Sequence, residues 1–208
     1  MIHHNDFIVI DIETGGLKTD GSSPITEFGI VVLDWELNYA GEYCKIVCPY
    51  NKDHKYEAKA LEYSKLTMSD INGGTDSNIV VGEIIDLFKQ SKKRTGKKPI
   101  LCGHNVQSFD IPFIYHFFLY HKKDLWSFVE GYCIDTMWFA RWKYKESDNF
   151  KLGTVCSNEG IALGDAHTAL GDVQSNSELV KIFLKLLRGE GGKINKNEEK
   201  RFRTAFQF

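Results

Sequence analysis

The amino-acid sequence predicts an α/β domain built on a mixed β-sheet. Three apolar, β-branched segments come first, at Asp6–Ile10, Thr26–Leu33 and Glu42–Val47, and they indicate strands of which the last two are antiparallel neighbours. Beyond them, strand and helix patterns alternate along the chain. Consecutive strands followed by such alternation are typical of a sheet that contains both antiparallel and parallel pairs.

The remaining elements are predicted from the spacing of apolar residues. Ile79–Gln90 has apolar residues at three- and four-residue steps, which indicates an amphipathic helix. Pro99–Asn105 is predicted to be a strand ending in a polar turn, and Tyr132–Ile134 a short strand. The other predicted helices are Tyr56–Leu66, Ile111–His121, Thr136–Tyr144 and Ala166–Leu187, the last being the longest.

Composition and charge limit the kinds of protein the chain can form. With 208 residues, 42% of them hydrophobic, it is long enough to bury one sizeable core. The 26 basic and 28 acidic residues nearly balance, which argues against a passive nucleic-acid coat but not against an enzyme whose metal ions supply positive charge. The five cysteines lie mostly in apolar runs and are interpreted as reduced core residues of a cytosolic protein.

Targeting signals and domain boundaries are read from the two ends of the chain. The start, MIHHNDF, has no basic segment followed by a long apolar run, and no apolar run reaches membrane-spanning length. We therefore expect a cytoplasmic protein with no membrane partner. Residues 1–188 are expected to form one domain, and residues 189–208 a linker with an aromatic and basic tail that packs on the domain or docks on a partner.

Three separate stretches carry candidate catalytic residues. In FIVIDIETGGL, Asp11 and Glu13 are two residues apart and therefore project from the same face of a strand, where they repel unless a cation or a proton intervenes. In CGHNVQSFDIPFI, Asp110 opens a helix after a polar turn. In DAHTALGDVQSN, His167 precedes Asp172 by five residues, with Asp165 as the expected N-cap. Taken singly, each stretch also has a simpler explanation. Asp11 and Glu13 fit a solvated strand end, Asp110 fits a helix-capping acid, and His167 fits a surface or capping histidine.

In order and spacing, DIETGG, GHNVQSFD and HTALGD resemble the three motifs of the DEDDh exonucleases, which belong to the ribonuclease H-like superfamily. The resemblance spans about residues 6 to 180 and implies a mixed five-stranded sheet flanked by helices. It also implies two divalent ions, Mg²⁺ or Mn²⁺, because hard cations prefer carboxylate oxygens. The implied metal ligands are Asp11, Glu13, Asp110 and Asp172, with Asp11 shared between the ions and His167 as general base.

Substrate-binding residues are also implied by the resemblance. Thr14 matches the backbone position that holds the terminal 3′-hydroxyl, and Gly15 allows the backbone to approach the substrate closely. Leu17 matches the apolar wedge between the last two bases, although it also suits a core position. Asn105 is a further candidate. The turn of this chain has three residues, Val106 to Ser108, where many relatives have two, which bears on the substrate groove rather than on Asp110.

The resemblance implies a 3′→5′ exonuclease that acts on single-stranded DNA and releases nucleoside 5′-monophosphates. Three alternatives stay open: a ribonuclease T- or oligoribonuclease-type exoribonuclease, a catalytically silent nucleic-acid-binding subunit, and an aspartyl-phosphate phosphatase. Expected partners are the 3′ ends of single-stranded DNA or RNA and, through the tail, a polymerase or clamp; either a monomer or a homodimer fits. A basic cluster (Lys92, Lys93, Arg94, Lys97 and Lys98) suits a solvated loop or a nucleic-acid groove, and the aromatic residues Trp138, Trp142 and Tyr144 suit a core or stacking platforms.

Overall fold

The fold is centred on one five-stranded mixed sheet. A computed structural model describes residues 4–163 and 168–190. The strands are β1 (Phe7–Thr14), β2 (Ile25–Leu33), β3 (Tyr39–Ile46), β4 (Ile100–Gly103) and β5 (Cys133–Asp135), in the order β3-β2-β1-β4-β5. β1 pairs antiparallel with β2, and β2 with β3, whereas β1, β4 and β5 run parallel. The predicted mixed five-stranded sheet is therefore confirmed.

Helices cover both faces of this sheet. They are α1 (Ala58–Ser64), α2 (Met68–Asn72), α3 (Ser77–Thr95), α4 (Asp110–Tyr120), α5 (Thr136–Lys143), α6 (Leu152–Asn158) and α7 (Ala169–Leu187), with a 3₁₀ turn at Leu125–Ser127. The sequence did not predict α2, α6 or the 3₁₀ turn, because elements this short carry little periodicity. α2 is defined instead by a capping box in which Thr67 and Asp70 bond reciprocally. None of the helices in the described ranges is long and apolar enough to cross a membrane.

The central strand β1 is buried on both faces. Ile8 and Ile10 belong to a core cluster formed with α3 and α4, whereas Phe7 and Val9 pack on the other face with residues of α7. These apolar side chains are at most 2% exposed. A strand buried on both sides reads as a continuous apolar run, which is why its sequence shows no alternation.

Helix α7 crosses the sheet over β2. Gly29 of β2 makes this approach possible, since a Cβ atom there would lie 2.3 Å from the carbonyl oxygen of Ala169. The N-cap of α7 is Thr168, whose side chain accepts a hydrogen bond from the Gly171 N–H at 3.1 Å. The prediction of Asp165 as N-cap is therefore wrong, and α7 begins at Ala169.

The basic cluster is not a loop throughout. Lys92, Lys93 and Arg94 form the last turn of α3, which ends at Gly96 with φ +77°. Arg94 contacts the buried carboxylate of Asp6 at 2.5 Å. Part of this cluster therefore tethers α3 to the start of β1, where cations also suit the negative end of the helix dipole.

Candidate active site

The second half of β1 carries the first two candidate ligands. β4 pairs with β1 only over Phe7–Val9, so β4 does not pair with the edge of β1 beyond that point. There the N–H of Ile12 donates to Asp110 Oδ1 at 3.2 Å. The carboxylate of Asp110 thereby takes the place of the neighbouring strand at the position where the parallel pairing ends.

Asp172 reaches the same place from α7. It lies in the first turn of that helix, and Gly29, against which the helix begins, is the β2 partner of Asp11. Oxygen atoms from the carboxylates of Asp11, Glu13 and Asp172 all lie within 4.8 Å of one another. Two segments more than 150 residues apart in sequence thus converge on one point.

Asp110 is positioned by the turn that precedes α4. It is the first residue of that helix and is only 4% exposed. Asp135 at the end of β5 organises the turn, accepting hydrogen bonds from the N–H groups of Asn105 at 2.9 Å and Gln107 at 3.2 Å. Asn105 adopts the left-handed region with φ +63°, which asparagine tolerates better than most residues.

Three of the carboxyl groups at this site have pKa values above their ordinary range. Burial raises the pKa of Asp11 well above its ordinary value, and repulsion from the neighbouring carboxylates raises it further. Burial and the charges of Asp172 and Glu27 raise the pKa of Glu13 to about 7. Burial raises the pKa of Asp110 to about 8. Groups of like charge this close need protons or cations between them.

Glu27 is a fifth acid near the cluster that the sequence analysis missed. It lies opposite Glu13 in the β1–β2 pairing. Its Oε2 accepts a hydrogen bond from the N–H of Ala169 at 3.2 Å, and its Oε1 accepts one from the Cys44 thiol at 3.4 Å. The signal was an acidic residue inside the otherwise apolar strand TEFGIVVL, and its role emerges only once α7 is docked on β2.

The cluster opens into a cleft of about 570 Å³. The predicted residues Asp11, Glu13, Thr14, Leu17, Asn105, Asp110 and Asp172 all line it. Residues that the sequence did not single out line it as well: Ile12, Glu57, Lys59, Ala60, Tyr63, His104, Phe109 and Leu152. The cleft is thus an open, largely apolar groove with an acidic floor.

Three predicted residues differ in how they relate to this cleft. Leu17 is 74% exposed, so the alternative of a core position is wrong for it. Gly15 is buried and does not line the cleft; its N–H donates to the Pro24 carbonyl at 2.9 Å and its carbonyl accepts from the Glu57 N–H at 2.7 Å. His167 lies outside the described residues.

The architecture matches solved structures of the ribonuclease H-like class. E. coli Exonuclease I in complex with a dT13 oligonucleotide superimposes with a TM-score of 0.73 at 21% identity, over 88% of this chain and 41% of that chain. The zinc-bound form of an E. coli Exonuclease I complex with single-stranded DNA gives a TM-score of 0.75 at 20% identity, over 97% and 42% of the two chains. Fold and acid cluster together define a protein of this α/β class.

The sequence assigns the chain to one family within that class. The profile of the exonuclease family RNase_T matches residues 8–180, so the chain belongs to this family, and the resemblance to the DEDDh exonucleases is confirmed. A relative is the PolC-type DNA polymerase III of Clostridium perfringens, 26% identical over 190 residues. That match covers 89% of this chain but 12% of the polymerase, so the chain corresponds to a small part of the relative.

Proposed function

We propose that this protein is a divalent-metal-dependent 3′→5′ exonuclease that shortens single-stranded DNA and releases nucleoside 5′-monophosphates. The observation that carries the proposal is the convergence of carboxylates from three distant segments in an open cleft, within a chain of an exonuclease family. Such a cleft gives a chain end access to the acids from solvent.

The donor set fits two hard divalent cations, Mg²⁺ or Mn²⁺. Every candidate ligand is a carboxylate oxygen, which these ions prefer, and the repulsion within the cluster is what bound cations relieve. Asp11, Glu13 and Asp172 would hold one ion, and Asp110 would help to hold the second together with Asp11. When bound, two such ions activate the attacking water and stabilise the leaving oxygen.

The chain's own residues orient the substrate and move the proton. Thr14, which lines the cleft, holds the terminal 3′-hydroxyl, and the exposed side chain of Leu17 wedges between the last two bases. Gly15 supports the backbone of Thr14, since its own N–H and carbonyl are bonded to Pro24 and Glu57. Asn105, which also lines the cleft, is a further contact for the strand. His167, which precedes the start of α7, accepts the proton from the attacking water as general base.

DNA is the proposed substrate because similar proteins bind or copy DNA. Exonuclease I is described in complex with a dT13 oligonucleotide, and the PolC-type relatives are DNA polymerases. The same kinship supports a polymerase or clamp as a partner, bound through residues 189–208, beyond an exonuclease domain at residues 1–188. The proposed setting is the cytoplasm.

The test compares matched single-stranded DNA, RNA and 3′-mismatched duplex DNA, each with Mg²⁺ and with EDTA. We expect mononucleotide release from single-stranded DNA that EDTA and Asp11→Asn abolish, while Asp86→Asn, which alters an exposed acid of α3, leaves the rate unchanged. Faster release from RNA favours an exoribonuclease. No hydrolysis of any substrate with either Mg²⁺ or Mn²⁺ contradicts the proposal and favours a silent binding subunit.

A further inference from the structure

A second candidate surface lies on α5, outside the acidic cleft. Trp138 is 58% exposed, and the guanidinium of Arg141, one turn later, lies 5.7 Å from its ring centroid. The same guanidinium lies 5.9 Å from the ring centroid of Phe150. The positive charge of Arg141 thus lies close to two aromatic rings, and these three residues (Trp138, Arg141 and Phe150) are here called the Trp138 platform.

The neighbouring aromatic residues behave differently. Trp142 and Tyr144 pack against the apolar cluster between α5, α6 and α7. Lys143 forms an ion pair with Glu159 at 2.5 Å, and the Tyr144 hydroxyl donates to the same carboxylate. These three side chains are thus engaged within the domain, whereas the Trp138 ring presents an apolar face to solvent.

The Trp138 platform is continuous with the wall of the cleft. The carbonyl of Phe150 accepts a hydrogen bond from Nε2 of His104 at 2.7 Å, and His104 lines the cleft. Leu152, two residues after Phe150, lines the cleft as well. Between them stands the exposed Lys151, which adds a second positive charge at this rim.

The negative charge of the cleft floor explains why a nucleic-acid strand needs a further binding surface. The floor of the cleft is made of carboxylates, so it repels the phosphates of a nucleic acid except where bound cations intervene. Arg141 and Lys151 offer phosphate contacts beyond that acidic floor, and Trp138 offers a face on which any base stacks. Aromatic and cationic groups together are the combination that binds single strands without regard to sequence.

We propose that the Trp138 platform binds nucleotides of the single strand upstream of the scissile bond, with a base on Trp138 and phosphates on Arg141 and Lys151. This extension rests on the proposed exonuclease function and defines its substrate as a strand of several nucleotides. The platform gives affinity to long strands and none to a dinucleotide, which ends within the cleft.

The test measures KM and kcat on a dinucleotide and on a dT15 strand. Trp138→Ala raises KM for dT15 by about 5-fold or more and leaves kcat and both dinucleotide constants unchanged, and Trp138→Phe restores most of the affinity. Tyr132→Ala is the matched control, because Tyr132 is equally exposed, at 59%, and immediately precedes β5, at the end of that strand remote from the cleft. Equal effects on both substrates, or an effect of Tyr132→Ala like that of Trp138→Ala, overturn the proposal.

Binding without hydrolysis separates this proposal from the proposed activity. Fluorescence anisotropy of labelled dT15 in Ca²⁺ is expected to show weaker binding by Trp138→Ala and by Arg141→Gln, whether or not the protein cleaves DNA in Mg²⁺. Unchanged dT15 affinity in both variants refutes the platform even if the exonuclease activity is found. Absent hydrolysis with reduced dT15 affinity refutes only the proposed activity.

Discussion

The two halves of β1 share one strand but have different neighbours. Phe7–Val9 is paired on one edge with β2 and on the other with β4, and its side chains are buried in apolar clusters on both faces. Beyond Val9 the strand keeps β2 but loses β4, and Asp110 bonds to the N–H of Ile12 instead. The first half is thus paired on both edges and wholly apolar, whereas the candidate acids Asp11 and Glu13 lie in the second.

This difference shows how the end of strand pairing brings acidic side chains from other segments to one candidate site. Where the parallel pairing ends, backbone and side chains become accessible to groups from other segments, here the N-terminus of α4. Because α7 begins against Gly29 of β2, its first turn delivers Asp172 to the same position. The convergence of acids is thus a consequence of strand length and helix docking.

The largest expected effect comes from comparing Asp110, which bonds to the second half of β1, with a core residue of the first half. Asp110→Asn keeps an acceptor for the Ile12 N–H but removes a charge, so we expect exonuclease activity to fall by ~100-fold or more with the melting temperature in EDTA unchanged or higher. Ile8→Ala, in the first half, is expected to lower the free energy of unfolding by about 2–5 kcal/mol. Its activity per folded molecule stays near that of the unsubstituted protein.

Assays of activity and thermal unfolding on both variants check this prediction. If Asp110→Asn loses stability as Ile8→Ala does, or if Ile8→Ala loses activity well below its melting temperature, the division between the two halves of β1 is wrong.

A second prediction concerns pH and the metal. Glu13 and Asp110 have pKa values of about 7 and about 8, above their ordinary values of 4.5 and 3.8, so the metal-free folded protein binds protons more tightly than the unfolded chain. The stability that this binding provides is fully present below about pH 4 and is lost as pH rises through 7 to 8. Mg²⁺ competes with these protons, so its apparent affinity rises with pH by up to ~10-fold per unit for each proton displaced.

Thermal unfolding at pH 6 and pH 8.5, with EDTA and with Mg²⁺, measures this linkage. The melting temperature in EDTA is expected to be lower at pH 8.5, and the increase caused by Mg²⁺ to be larger there. A Mg²⁺ effect of equal size at both pH values would mean that the protons and the metal do not share the carboxylates.

The smallest expected effect concerns Glu27 and distinguishes its hydrogen bond to α7 from its negative charge. Glu27→Ala removes the acceptor for the Ala169 N–H at the start of α7, and we expect Mg²⁺ affinity to fall by ~10-fold. Glu27→Gln keeps that acceptor and removes a like charge beside Glu13, so it is expected to retain most of the affinity. Titration of Mg²⁺ into each variant gives the result, and equal losses in both would mean that Glu27 acts through its charge.

The sequence predicted those structural features that are determined by residues close together in the chain. The same-face projection of Asp11 and Glu13 follows from strand alternation alone, and the opening of α4 at Asp110 follows from the polar turn before it. The strands of the sheet were likewise predicted, because apolar runs bounded by turns are informative on their own.

Local sequence did not predict what depends on docking. Glu27 and Gly29 acquire their roles only because α7 lies on β2, more than 130 residues later in the chain. The exposure of Trp138 beside the packed Trp142 depends on how α5 is rotated against α7, which the spacing of aromatic residues leaves undetermined. The predicted start of α7 was wrong because several polar residues precede the helix in sequence, and only one of them, Thr168, caps it in the structure.

The most direct measurement is a crystal structure of the protein with Mn²⁺, with the metal located by anomalous scattering. The account predicts a Mn²⁺ peak bounded by the carboxylates of Asp11, Glu13 and Asp172, and a second on the side of Asp110. Well-ordered carboxylates at saturating Mn²⁺ with no peak among them would contradict the account.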